Sequence, residues 1–141
     1  MGVQIDVSDL KRTKRYMRPG RHTVKITKVE LRQKEDGTEY LLFYLVDSTG
    51  AVHYQPFFLD SDYDRVTLYR IDLAAGTKAE RGGMLEPFLM VGGYFTCTIV
   101  KDEKRDRTYL REIKRSVYRR PDDIRPDGTA SPEFKRGRRR R

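Results

Sequence analysis

Only one stretch of this 141-residue chain repeats its apolar residues at helical spacing. Tyr63, Val66, Tyr69 and Leu73 recur at intervals of three and four, which predicts a helix over 62–75. Asp60-Ser61-Asp62 supplies N-cap residues, Asp64 lies in the first turn, and Gly76 is a C-terminal stop. Every other patterned segment has the two-residue period of a strand. A chain with one helix and several short strands must bury its core inside a sheet.

The strands read in order. Over 21–33, Val24 and Ile26 alternate with polar residues, and Val29 and Leu31 continue one residue out of phase. A phase slip inside one strand predicts a β-bulge. The Asp36-Gly37 pair turns the chain. Residues 39–47, EYLLFYLVD, are apolar on both parities, so both faces of this strand are occupied. Ser48-Thr49-Gly50 turns again, and 51–59 form a third strand. Pro56 cannot donate to a ladder, so that strand is irregular or at an edge. After the helix comes a looser piece with Gly82-Gly83, then strands over 94–101 and 107–115. Three strands, a helix and two strands is the order of a mainly β, five-stranded OB-type barrel with one helix between strands three and four. A meander sheet with a helix across it gives the same string.

Residues 1–18 are expected to be a loosely ordered basic arm, 19–117 the folded domain, and 118–141 a disordered basic tail rich in Pro, Gly and charge. The net charge is +9, and its distribution matters more than its size. Residues 1–113 carry 19 Lys+Arg against 17 Asp+Glu, while residues 114–141 carry 11 against 4. A basic tail on a nearly balanced domain calls for a polyanionic partner, nucleic acid before membrane, because the tail has no amphipathic apolar face. No apolar run approaches the roughly 18 residues of a membrane span, and the N-terminus lacks the apolar stretch of a secretory signal. The single cysteine, Cys97, excludes an internal disulfide framework. The expected setting is therefore cytoplasmic, the host cytoplasm if the chain is viral.

Little here suits catalysis. His22 and His53 belong to no ligand-spaced cluster, and no nucleophile elbow, Walker loop or dinucleotide fingerprint is present. Asp60-Ser61-Asp62-Tyr63-Asp64 imitates the start of a calcium loop, but Arg65 stands where glycine is needed and Ile71 where glutamate is needed. Cys97 reads as a small buried residue. The expectation is a protein that is not an enzyme, without metal or cofactor.

Aromatic and basic residues carry the binding signal. Strands two and three hold Tyr40, Phe43, Tyr44, Tyr54, Phe57 and Phe58. If Leu42 and Val46 face the core, Tyr40 and Tyr44 do too, and Phe43 faces out. On strand three either Tyr54 with Phe58, or Phe57 alone, faces out. Outward aromatics can stack nucleobases, each worth about 1–3 kcal/mol. The rival use of the second face of strand two is a homo-oligomeric contact. Lys25, Lys28 and Arg32 alternate along strand one, and Lys34 lies in the first loop. Lys101, Lys104, Arg105 and Arg107 surround the loop before strand five, which carries Arg111. The last four residues, Arg138, Arg139, Arg140 and Arg141, repel one another unless an anion is near, which favours phosphate contact. The expected nucleic-acid-binding set is Lys25, Arg32, Lys34, Phe43, Tyr54, Phe58, Lys101, Lys104, Arg105, Arg107, Arg111 and Arg138–Arg141.

From PGRHTVKITKVE through EYLLFYLVDSTG, DLAAG and MVGGYFTCTIVKDEKRDRTYLREIK, about residues 19–115, the chain resembles phage-type single-stranded DNA-binding proteins with an OB-fold. The Val91-Gly92 step before a strand and the apolar Ile113 in the closing strand carry this likeness. The resemblance implies a largely sequence-independent replication or recombination accessory that coats single-stranded DNA. Its polyarginine end departs from the acidic tail usual in bacterial single-strand binders, which puts partner recruitment by such a tail in doubt. RNA binding and a virion assembly role with a genome-neutralising tail are the alternatives.

Overall fold

A computed structural model describes residues 2–5 and 15–116. The fold is mainly β. Strands β1 (Gly20–Gln33), β2 (Glu39–Asp47) and β3 (Val52–Phe58) lead to helix α1 (Asp62–Ala75). A small hairpin, β4 (Glu80–Arg81) and β5 (Met84–Leu85), and a 3-10 turn (Pro87–Met90) come next. Strands β6 (Tyr94–Asp102) and β7 (Arg107–Arg115) close the described fold. The five long strands make one antiparallel sheet in the order β3-β2-β1-β6-β7.

Strand β1 organises the sheet because it serves two partners. Its first half pairs with β6, and from Val24 onward it pairs with β2. The register slips between Ile26 and Lys28, where the phase of apolar residues changes, so the expected bulge is present. Thr27 is the extra residue, and its hydroxyl donates to the Tyr44 carbonyl at 3.1 Å. A second slip, between Thr96 and Thr98 of β6, falls opposite Glu112 of β7, which has φ of 53°. Bulges of this kind sharpen local twist and curl a sheet.

Curling brings the two edge strands toward each other. No backbone ladder joins β3 to β7 among the described residues, so the sheet is not a closed barrel. Side chains bridge the seam instead. Gln55 Nε2 donates to the Thr108 carbonyl at 3.0 Å, and the Thr108 hydroxyl donates to Gln55 Oε1 at 3.1 Å. The His53 ring lies 2.8 Å from that same Gln55 oxygen. Helix α1 covers the seam: Tyr63 Oη donates to the Leu110 carbonyl at 3.0 Å, and Asp64 accepts the Phe58 amide at 2.8 Å. The Phe58 amide and the Thr108 and Leu110 carbonyls at these edges thus find partners, which blunts the edges as templates for association.

The core lies on the concave side of the sheet. Phe43, Phe57, Phe95, Ile26, Leu45 and Ile99 fill it, with Leu68 and Ile71 contributed by α1. Phe43 and Phe57 meet edge to face with ring centres 5.1 Å apart.

Two sequence expectations need correction. The stripe that reveals α1 is not the one it buries: Tyr63, Val66, Tyr69 and Leu73 are exposed, while Thr67, Leu68, Ile71 and Asp72 face inward. Asp72 can be buried because it accepts from the Thr77 hydroxyl at 2.5 Å and from the Ala79 and Glu80 amides at 2.8 and 3.1 Å. The last residues of the expected 1–18 arm bond to the start of β3. Val52 donates to the Arg15 carbonyl at 2.8 Å, Met17 donates to the Val52 carbonyl at 2.9 Å, and Met17 is buried. The second correction is the parity of β2. Leu41, Phe43 and Leu45 face the core, and Tyr40, Leu42, Tyr44 and Val46 lie on the other side.

Candidate nucleic-acid interface

Inverting β2 changes which aromatics are available. Phe43 is 0% exposed and cannot stack a ligand without unfolding. On β3 the burial alternates the other way round from the strand's even numbers: His53, Gln55 and Phe57 point inward, leaving Tyr54 and Phe58 outside. Cross-strand register then builds a face of ladder rows across β1, β2 and β3. Lys28, Tyr44 and Tyr54 form one row, Glu30, Leu42 and Pro56 the next, and Arg32, Tyr40 and Phe58 the third.

The two aromatic rows are paired. Tyr44 and Tyr54 lie 4.9 Å apart between ring centres, and Tyr40 and Phe58 lie 5.4 Å apart. Tyr16, 64% exposed, adds an edge-to-face contact with Tyr54 at 6.0 Å. Cations sit against these rings: Lys28 Nζ is 5.3 Å from the Tyr44 centre and Lys34 Nζ is 4.8 Å from the Phe58 centre. Lys25, near the middle of β1, lies 5.8 Å from the Tyr94 ring. Rows of rings flanked by cations are the arrangement on which single-stranded nucleic acid stacks.

Within this face one anion stands among cations. The Glu30 carboxylate accepts from Tyr44 Oη, from Arg32 at 2.9 Å and pairs with Lys28 at 3.2 Å. Those hydrogen bonds, Tyr44 first, then Arg32 and Lys28, hold its pKa at about 2. Arg32 also donates to Tyr44 Oη at 3.1 Å, and its pKa is raised mainly by the hydrogen bond to Glu30.

The loops frame the face. In the first, the Asp36 carboxylate accepts the Thr38 amide at 2.9 Å, and this bond lowers its pKa. In the second, Asp102 accepts the Lys104 and Arg105 amides and pairs with the Arg105 side chain at 3.8 Å. Lys101 pairs with Asp106 at 3.7 Å. Among the described residues Lys104 and Arg111 form no ion pair with an acidic side chain, while Arg107 shares the cleft with Asp64, whose carboxylate its charge favours.

A cleft of about 400 Å³ joins the second loop to the sheet face, lined by Pro56, Phe58, Tyr63, Arg105, Arg107 and Tyr109. Phe58 is therefore a junction: Lys34 covers it from one loop, and Arg105 and Arg107 reach its cleft from the other. Of the expected set, the structure brings together Arg32, Lys34, Tyr54, Phe58, Arg105 and Arg107. Lys101 and Lys104 border the second loop, Lys25 and Arg111 lie farther off on β1 and β7, and Arg138–Arg141 fall outside the described residues. The premise that Leu42 and Val46 face the core would have buried Tyr40 and Tyr44, and Tyr16 and Glu30 were overlooked. The missed signal was chemical: both tyrosines of β2, Tyr40 and Tyr44, fall on the parity opposite to 41, 43 and 45, and buried tyrosine needs a partner for its oxygen.

Other groups are quiet. Burial lowers the His53 pKa, raises that of Asp64, and pushes the Cys97 thiol up to about 12. Among the described residues no group of three or more His, Cys, Asp or Glu is placed to hold a metal, and no helix is long and apolar enough to cross a membrane. No protein-family model matches the sequence, and no curated protein is significantly similar to it.

Proposed function

We propose that this chain binds single-stranded DNA across the outer face of β1–β3, with little sequence preference, as a phage-type replication or recombination accessory acting in the cytoplasm. The observation that carries this reading is the pair of aromatic rows, Tyr44–Tyr54 and Tyr40–Phe58, each with a lysine against a ring. Stacking is sequence-tolerant because every base has a π-face, and the flanking cations supply phosphate contacts. The strand order β3-β2-β1-β6-β7, with α1 across the β3–β7 seam, favours an OB-type fold. In such a fold the faces of the second and third strands, with the two loops described above, form the oligonucleotide groove.

The experiment is a fluorescence-anisotropy titration of a labelled mixed-sequence oligonucleotide across salt, against duplex and RNA of equal length. The single strand should bind more tightly than the duplex, with affinity falling as salt rises. Duplex binding that equals or exceeds single-strand binding overturns the proposal. A preference for RNA moves the substrate to the ribose form.

A further inference from the structure

The Glu30 carboxylate sits in the middle row of the proposed binding face, one ladder step from each aromatic row. Two residues along a strand span about 7 Å, so a base stacked on either row has an edge within reach of it. A fixed anion on a surface meant for a polyanion repels phosphate and weakens binding unless it contacts something else. Its pinning by Tyr44, Arg32 and Lys28 keeps it ionised and holds it in place.

The hydrogen-bond inventory shows what it can still accept. Oε1 takes both the Tyr44 hydroxyl and Arg32 Nη2, and Oε2 faces Lys28 Nζ. A carboxylate has about four acceptor positions, so one remains, on Oε2. The phenol oxygen of Tyr44 touches the carboxylate, so a base lying along that ring and extending past its hydroxyl presents its edge to Glu30. Cytosine, adenine and guanine carry exocyclic amines that donate to a carboxylate. Thymine has no exocyclic amine: its one edge donor, the N3–H, is flanked on both sides by carbonyl oxygens that a carboxylate repels.

Building on the proposed binding of single-stranded DNA, we propose that Glu30 is a base-reading residue that favours amino-bearing bases over thymine within an otherwise sequence-tolerant face. Lys28 and Arg32 hold the carboxylate in position, and the Tyr44 hydroxyl aims it along the stacking ring.

The test compares oligo(dC) with oligo(dT) of equal length at pH 7.5, using the full chain, Glu30→Gln and Tyr44→Phe. Thermal melts confirm that each variant is folded. Wild type should bind oligo(dC) roughly fivefold to tenfold more tightly, as expected for one good amine contact. Glu30→Gln should bring the ratio near one, mainly by gaining affinity for oligo(dT), because an amide can both donate and accept. Tyr44→Phe keeps the charge but frees the carboxylate, and should give an intermediate ratio. Equal binding of both oligonucleotides by wild type overturns the inference, as does a ratio that Glu30→Gln leaves unchanged. A uniform gain for both in Glu30→Gln also overturns it, because the carboxylate then acts only as a general repulsive charge. Failure of wild type to bind either single strand would instead overturn the proposed function beneath it.

Discussion

Replacing Phe58 and Phe43 by alanine, one at a time, separates the face proposed to bind from the core beneath it. The two residues lie on adjacent strands with opposite burial. Phe58 is partly exposed, pairs with Tyr40 at 5.4 Å and carries Lys34 Nζ at 4.8 Å from its ring centre. Losing an exposed cation–π contact and an aromatic pair costs roughly 1–2 kcal/mol of stability. Losing one stacking platform costs roughly 1–3 kcal/mol of binding, which is about 5- to 150-fold in Kd. Phe43 is fully buried against Phe57. Its truncation costs about 3–5 kcal/mol of stability, from both transfer and cavity terms. Chemical denaturation gives the stabilities, and anisotropy with a labelled mixed-sequence oligonucleotide, at a temperature where both variants are folded, gives the Kd. Phe58→Ala should weaken binding with a small loss of stability. Phe43→Ala should lose stability and bind as wild type per folded molecule. The reasoning is refuted if Phe58→Ala leaves the Kd unchanged, or if folded Phe43→Ala binds as weakly as Phe58→Ala.

Three further outcomes follow from the same geometry. A Cβ on Gly93 would stand 2.7 Å from Thr77 Cγ2 and 3.0 Å from Ala75 Cβ, so Gly93→Ala should lower stability by about 1–3 kcal/mol in a denaturant melt. The His53 pKa lies below its ordinary 6.5 because burial disfavours the charged ring, so the unfolded chain binds the proton more readily. Stability is therefore fully present above pH 6.5 and falls as the pH drops below it; His53→Gln should flatten that slope, while Asp64, whose pKa burial raises above its ordinary 3.8, contributes with the opposite sign. Deleting Gly137–Arg141 should reduce the slope of log K against log salt by up to about 3, since each arginine that neutralises a phosphate on a single strand contributes about 0.7.

Much of the fold was legible because local chemistry matched the global arrangement. The phase slip between Ile26 and Val29 became a bulge, Asp36-Gly37 a turn, and the Ser61 cap and left-handed Gly76 bound the helix where the sequence placed them. What failed was orientation. EYLLFYLVD is apolar on both parities, so alternation alone cannot say which side is buried, and the choice made Phe43 a ligand when it is core. Helix α1 misled in the same way, because its exposed stripe is more apolar than its buried one, where Asp72 and Thr67 satisfy their polar atoms locally. The β4–β5 hairpin was hidden because its strands have two residues each, around Gly82 and Gly83, both with positive φ. Contacts between residues distant in sequence were out of reach altogether. Nothing local announces that Gln55 meets Thr108, or that Glu30 in a basic strand accepts from Tyr44.

The central claim, that single-stranded DNA lies on the outer face of β1–β3, is tested most directly by mapping backbone amide shifts in an NMR titration with a short oligonucleotide. The account predicts perturbations concentrated along Lys28–Arg32, Tyr40–Tyr44 and Tyr54–Phe58, extending to Arg105 and Arg107 beside the cleft. Perturbations confined to the exposed stripe of α1, at Tyr63, Val66, Tyr69 and Leu73, with the sheet face unchanged, would contradict it.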